Sequence, residues 1–262
     1  MEREEILDRI TRSLLSEDFR KSRTLNSLAP RTEANSQNLK SVQSGTTILA
    51  FKFDGGVFMA ADRRTLSGYE IVSQNTIKIH QVGPYTAVGF AGLVSDGQDM
   101  VDYLEVINGG FLRNFQIPLT IRAQAQNVAS ICRNHSRYGT PYENEFIICG
   151  FNFYGEFEIF HIGFGGSLQE VKRTSIGSGG QHAVIKLDEE KQRIEKEDLN
   201  LAEAVLVSFR ALHTAGEYDV GTSPVAMVLP TMAVVKKGGF EFVDEGIIAH
   251  TRDLVLKGGA RG

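Results

Sequence analysis

Residues 46–62 read TTILAFKFDGGVFMAAD. TTILAFKF and VFMAA are apolar, β-branched and aromatic runs, and Asp54-Gly55-Gly56 between them signals a tight turn, because glycine supplies the positive φ such turns require. The stretch predicts an antiparallel hairpin. Residues 22–45, just before it, are rich in Ser, Thr, Asn and Gln without periodicity and read as a loop or tether. The abrupt change at Gly45-Thr46 admits two readings. One is a linker entering a strand; the other is a chain cut there, with Thr46 as a new N-terminus.

Working outward, IKIHQV and YTAVGFA form a second strand pair joined through Gly83-Pro84. Helical stretches follow over about 95–115 and 120–137, the second with Ile121, Val128 and Ile131 at helical spacing. Another strand block comes next, FIICGFNF, EFEIFHIG and SLQEVKR, with turns at Tyr154-Gly155 and Gly165-Gly166. Helices over 179–187 and 201–215, then VAMVLP and the hairpin MAVVKKGGFEFV, complete the pattern. This order predicts an α+β fold, a four-layer αββα sandwich of two antiparallel sheets with helices outside each. Upstream, residues 2–20 read as an amphipathic helix with Ile6, Leu7, Ile10, Leu14 and Phe19 near one face.

Composition limits the function classes. Of 262 residues, 42% are hydrophobic and 23% charged, which fits a globular chain with a sizeable core and excludes disorder as the main state. A net charge of -4 offers no field for phosphates or an anionic membrane, so neither nucleic acid nor membrane is expected as a partner. Cys132 and Cys149 are not spaced as C-x-x-C and read as reduced, buried residues; the six histidines lack ligand spacing, so no metal or other cofactor is expected. The N-terminal stretch is too acidic and too poor in apolar runs for a targeting peptide, which predicts a cytoplasmic protein.

An N-terminal threonine carries a hydroxyl nucleophile and an amine of pKa about 7.7–8.0, able to act as its own general base. An internal threonine has only a non-basic amide, so cleavage after Gly45 would switch such a site on. Taken singly, Asp62 reads as a turn acid and Lys78, in TIKIHQ, as a solvated lysine on an exposed strand face. Taken together, they can converge on Thr46: a lysine would lower the pKa of its amine and hydroxyl, and Asp62 would hold that lysine charged and oriented.

The segment TTILAFKFDGGVFMAADRRTLSGYEIVSQNTIKI resembles the start of mature proteasome β subunits, in which a Gly-Thr junction is cleaved autocatalytically. Thr46, Asp62 and Lys78 stand at the family's own intervals, and Arg64 matches the arginine after its aspartate. The resemblance extends over residues 46–262. It implies residues 1–45 as a pro-segment, Gly45 as the processing residue, and Thr46, Asp62 and Lys78 as nucleophile and partners. GFAGLVSD maps Gly92 as oxyanion donor; SIGSGG maps Ser178, and YDVGTS maps Asp219 and Thr222, as supporting groups. SGG stands where Ser-Gly-Ser is usual, and Leu66 where many members have Thr. Thr65, Leu66, Phe90 and Val94, with Thr76 and Gln98 nearby, map to the substrate pocket, which implies cleavage after hydrophobic residues.

The implied function is a threonine-type endopeptidase, the catalytic β subunit of the proteasome core, degrading unfolded polypeptides. The implied partners are α subunits and other β subunits in α7β7β7α7 stacked rings, with an ATPase unfoldase. The competing readings are a silent β subunit that only builds the ring and another N-terminal nucleophile amidohydrolase. A silent member typically lacks the threonine, the lysine or the processing glycine, and all three are present.

Overall fold

The β1 (Ile48–Phe53) and β2 (Gly56–Ala61) strands pair antiparallel across Asp54-Gly55, as the opening stretch predicts, with Gly55 at φ 73°. The computed structural model describes residues 45–68 and 70–258; the amphipathic helix expected over 2–20 lies outside them. The apolar residues of this hairpin alternate between two environments. Leu49, Phe51, Phe53, Phe58 and Ala60 pack under helices, whereas Ile48, Ala50, Val57, Met59 and Ala61 face the second sheet. A strand buried on both faces reads as a continuous apolar run, which is why TTILAFKF and VFMAA lack polar alternation.

The first sheet has the order β10-β1-β2-β11-β12, adding β10 (Arg173–Ile176), β11 (Thr231–Lys236) and β12 (Gly239–Phe242). The second has the order β5-β6-β7-β8-β9, from β5 (Ile79–Gly83), β6 (Thr86–Gly92), β7 (Asn144–Phe151), β8 (Phe157–Gly163) and β9 (Ser167–Glu170). All pairings are antiparallel. The α1 (Val94–Phe115) and α2 (Ile121–Tyr138) helices cover the second sheet through Met100, Leu104, Ala125 and Val128 against Val88, Phe146 and Ile148. The α3 (Gly180–Glu189), α4 (Lys191–Lys196), α5 (Leu201–Tyr218) and α6 (Glu245–Gly258) helices cover the first. The three apolar clusters define four layers, the αββα sandwich. Each buried Phe or Leu contributes about 1.5–3 kcal/mol.

Two local expectations need correction. SLQEVKR is not one strand: Val171 N–H still donates to Ile159 O in the second sheet, while Lys172 O accepts from Lys52 N–H in the first. The chain changes sheet there. VAMVLP is a turn; Met227 and Val228 N–H both donate to Pro224 O, and Pro224 and Pro230 bring no ladder donor. The sequence reading also missed a short outlying hairpin, β3 (Thr65–Ser67) with β4 (Glu70–Ser73), and helix α6, whose first turn is held by Asp244 accepting from Gly246 N–H at 2.9 Å.

Candidate active site

Antiparallel pairing gathers the site at one end of the sandwich. Ile48 pairs with Ala61 on one side and Ile176 on the other, so Thr46-Thr47 lies beside Asp62 and beside Gly177-Ser178. A Cβ at Gly177 (φ 87°) would stand 2.1 Å from Thr46 O, so only glycine permits this approach. Lys78 enters from the segment before β5, Gly92 ends β6, and Asp219 to Ser223 follow α5.

Asp62 and Lys78 are buried at 0% and 4% exposure, which overturns the reading of Lys78 as solvated; neighbouring Ile77, at 56%, is the exposed residue. Lys78 is also not in a strand, since β5 begins one residue later. Its Nζ donates to Asp62 Oδ1 at 2.8 Å, to Thr46 Oγ1 at 2.9 Å and to Gly45 O at 2.9 Å. Three acceptors match the three protons of an ammonium. Burial pushes the Lys78 pKa below its usual value, and the Asp62 carboxylate opposes that shift most strongly. Asp62 is held in turn by Thr47 N–H on Oδ1 at 2.9 Å. On Oδ2 it accepts Arg64 N–H at 2.8 Å, Ser223 N–H at 2.9 Å and the Ser223 hydroxyl at 3.3 Å.

A second carboxylate organises the other half. Asp219 Oδ2 accepts the Ser178 hydroxyl at 2.7 Å and the Thr222 hydroxyl at 2.6 Å, and Thr46 N–H donates to Ser178 Oγ at 3.3 Å. Gly92 has φ 131°, and a Cβ there would lie 2.0 Å from Glu143 O, so the position requires glycine. Leu66 reaches Gly45: a Cβ on Gly45 would lie 2.8 Å from Leu66 Cδ1.

Beside this end, Phe90 is 8% exposed, and α1 passes so close that a Cβ on Gly97 would lie 2.0 Å from its ring. Val94 opens that helix, Thr65 donates to Thr76 at 2.8 Å, and Gln98 is exposed. The sequence reading missed His80, whose ring stacks on Phe90 at 5.7 Å. Its place two residues after Lys78 was the available signal. It also missed Thr47 and Ser223, which no local pattern marks, because both act through contacts made across the fold.

The fold and this constellation define a two-sheet sandwich with a buried threonine-lysine-aspartate cluster. Residues 42–229 match the model of the family Proteasome, described as proteasome subunit. The chain belongs to the proteasome subunit family. It is 29% identical over 201 residues to proteasome subunit beta 2 of Nitrosopumilus maritimus, covering 77% of this chain and 90% of that one. It is 31% identical over 199 residues to proteasome subunit beta 2 of Cenarchaeum symbiosum, covering 76% and 90%. Similarity extends to a proteasome subunit alpha of Methanoregula boonei, 30% identical over 202 residues, covering 76% and 82%. Membership makes the chain a subunit of a protease built from stacked rings of proteasome subunits. Among the described residues no helix is long and apolar enough to cross a membrane.

Proposed function

We propose that this chain is a catalytic β subunit, a threonine endopeptidase that matures by cleaving itself between Gly45 and Thr46. The observation that carries this reading is the Lys78 ammonium, which touches the Thr46 hydroxyl, the Gly45 carbonyl and Asp62 at once. In the uncut chain it polarises the carbonyl and lowers the pKa of the hydroxyl beside it. Thr46 Oγ1 adds to the Gly45 carbonyl carbon, the hydroxyl proton passes to the Thr46 nitrogen, the C–N bond breaks to free the amine, and an ester joins residue 45 to the Thr46 oxygen. Water then hydrolyses the ester, releasing residues 1–45 and restoring the Thr46 hydroxyl beside its free amine.

In the mature subunit that amine takes the hydroxyl proton as Thr46 Oγ1 attacks a peptide carbonyl. Gly92 N–H faces the developing oxyanion, and an N–H donor fixed in place before the reaction needs no reorganisation during it. Ser178, which accepts from Thr46 N–H in the uncut chain, and Asp219 hold the amine. Thr65, Leu66, Phe90 and Val94 receive the residue before the scissile bond. The partners are α subunits and further β subunits, with an ATPase ring supplying unfolded chains in the cytoplasm. A purely structural role is disfavoured, because a ring-building subunit has no need of a buried lysine aimed at a scissile carbonyl.

The test is the intact mass of the chain expressed with and without an α subunit. The expected result is loss of residues 1–45 in the assembled particle, and retention of them in Thr46→Ala together with loss of peptide hydrolysis. Cleavage after Gly45 in Thr46→Ala would overturn the nucleophile assignment.

A further inference from the structure

Thr47, next to the nucleophile, joins the two halves of the site. Its backbone N–H donates to Asp62 Oδ1 at 2.9 Å, the same oxygen that receives Lys78. Its hydroxyl oxygen lies 2.6 Å from Thr222 Oγ1, and Thr222 donates at 2.6 Å to the Asp219 oxygen that also takes the Ser178 proton. Thr47 and Thr222 are both 0% exposed. The backbone makes room for their hydroxyl pair with a glycine: a Cβ on Gly179 would stand 2.2 Å from Thr47 Oγ1 and 2.6 Å from Thr222 Oγ1.

The direction of the chain follows from the number of protons. An ionised carboxylate only accepts, so Thr222 gives its single proton to Asp219 and must receive the proton of Thr47. Hydrogen bonds in such a chain strengthen one another. A Thr222 hydroxyl that accepts from Thr47 is therefore the stronger donor to Asp219 Oδ2, and Asp219 pulls less on the Ser178 proton. Ser178 Oγ is then a weaker acceptor from the Thr46 nitrogen.

We propose that Thr47 is a positioning residue whose hydroxyl, acting through Thr222, Asp219 and Ser178, keeps the Thr46 amine less basic and oriented for proton transfer. This rests on the reading of Thr46 as a nucleophile that uses its own amine. Among the described residues, the charged groups around that amine are Lys78 from the segment before β5, Asp62 behind it from the end of β2, and Asp219 from the segment after α5; Arg64 acts on Lys78 from the turn after β2.

The experiment compares processed, assembled particles carrying Thr47→Val, which keeps the shape and removes the hydroxyl, with Thr47→Ser, which restores it. The substrate is a fluorogenic peptide with Leu before the scissile bond. Thr47→Val is expected to lower kcat about tenfold, the change that one hydrogen bond's worth converts to, with KM unchanged. The acid limb of its pH-rate profile should move to higher pH, because a stronger Ser178 acceptor stabilises the ammonium form. Thr47→Ser should restore both. An unmoved acid limb in Thr47→Val, or equal losses in Val and Ser variants, overturns the proposal. Should Thr47→Val fail to assemble, Thr47→Ala carries the same comparison. Thr46→Ala in the same particle separates the two failures: hydrolysis surviving there would overturn the underlying reading, whereas its loss beside an unaffected Thr47→Val would overturn only the role of Thr47.

Discussion

Lys78 Nζ lies 2.9 Å from Gly45 O, the carbonyl of the peptide bond that precedes Thr46. With only 4% of it exposed, the lysine carries a structural weight that a surface lysine lacks. Removing it leaves Asp62 charged, 0% exposed and without its ion-pair partner. Lys78→Ala is therefore expected to abolish processing and hydrolysis and to destabilise the fold by about 3–5 kcal/mol. Adding Asp62→Asn, which removes the charge and keeps an acceptor oxygen for the backbone N–H groups that Asp62 holds, should recover part of the stability and none of the activity. Thermal melting of the single and double variants checks this, and an unchanged Tm in Lys78→Ala would contradict it.

The pH dependence on the alkaline side follows from the same burial. Desolvation holds the folded-state pKa of Lys78 below its ordinary 10.5, with Asp62 opposing. As pH rises through that lowered value the ammonium is lost, and with it the donor to Thr46 Oγ1, so kcat/KM should fall before an ordinary lysine titrates. Between the lowered value and 10.5 the unfolded chain binds the proton that the folded chain has released, so this group's contribution to stability rises with pH there. Activity falling while stability does not, in a paired pH-rate and pH-melting series, is the expected signature.

Gly92→Ala places a methyl 2.0 Å from Glu143 O and forces alanine to φ 131°. The backbone must shift, moving the N–H that would meet the oxyanion. A loss of about 10²–10³ in kcat is expected, the scale of one oxyanion donor. Steady-state kinetics on a processed particle measures it; a variant with wild-type kcat would remove Gly92 from that role.

Specificity should follow the uncharged walls around Phe90. Burial lowers the pKa of His80, stacked on that ring, and so favours its neutral form. Apolar walls cannot compensate the desolvation of a charged side chain, which costs several kcal/mol when unpaired. Peptides differing only before the scissile bond should be cleaved faster with Leu or Tyr than with Arg or Glu. Faster turnover of the charged peptides would refute the pocket assignment.

The strands of the opening hairpin, its Asp54-Gly55 turn and most helices were legible because each is set by local chemistry: side-chain period and turn glycines. The family resemblance of residues 46–79 likewise pointed to Thr46, Asp62 and Lys78. Periodicity misplaced Lys78 on a solvated face, since strand alternation gives a residue's side and not what covers it. The covering is tertiary: the ends of β1, β2 and β10, the segment before β5 and the turn after α5 meet there, burying Lys78 and leaving Ile77 outside. The sheet change between Val171 and Lys172 was also illegible, because both halves of SLQEVKR are equally competent strands and only the competing hydrogen-bond partners, Ile159 and Lys52, divide them. The roles of Thr47 and Ser223 belong to the same class. Sequence alone determined the opening hairpin, most of the other strands and helices, and which residue types stand ready for chemistry. The tertiary structure alone decided which donors reach Asp62 and Asp219, because a hydrogen bond depends on a few tenths of an ångström between atoms brought together from distant parts of the chain.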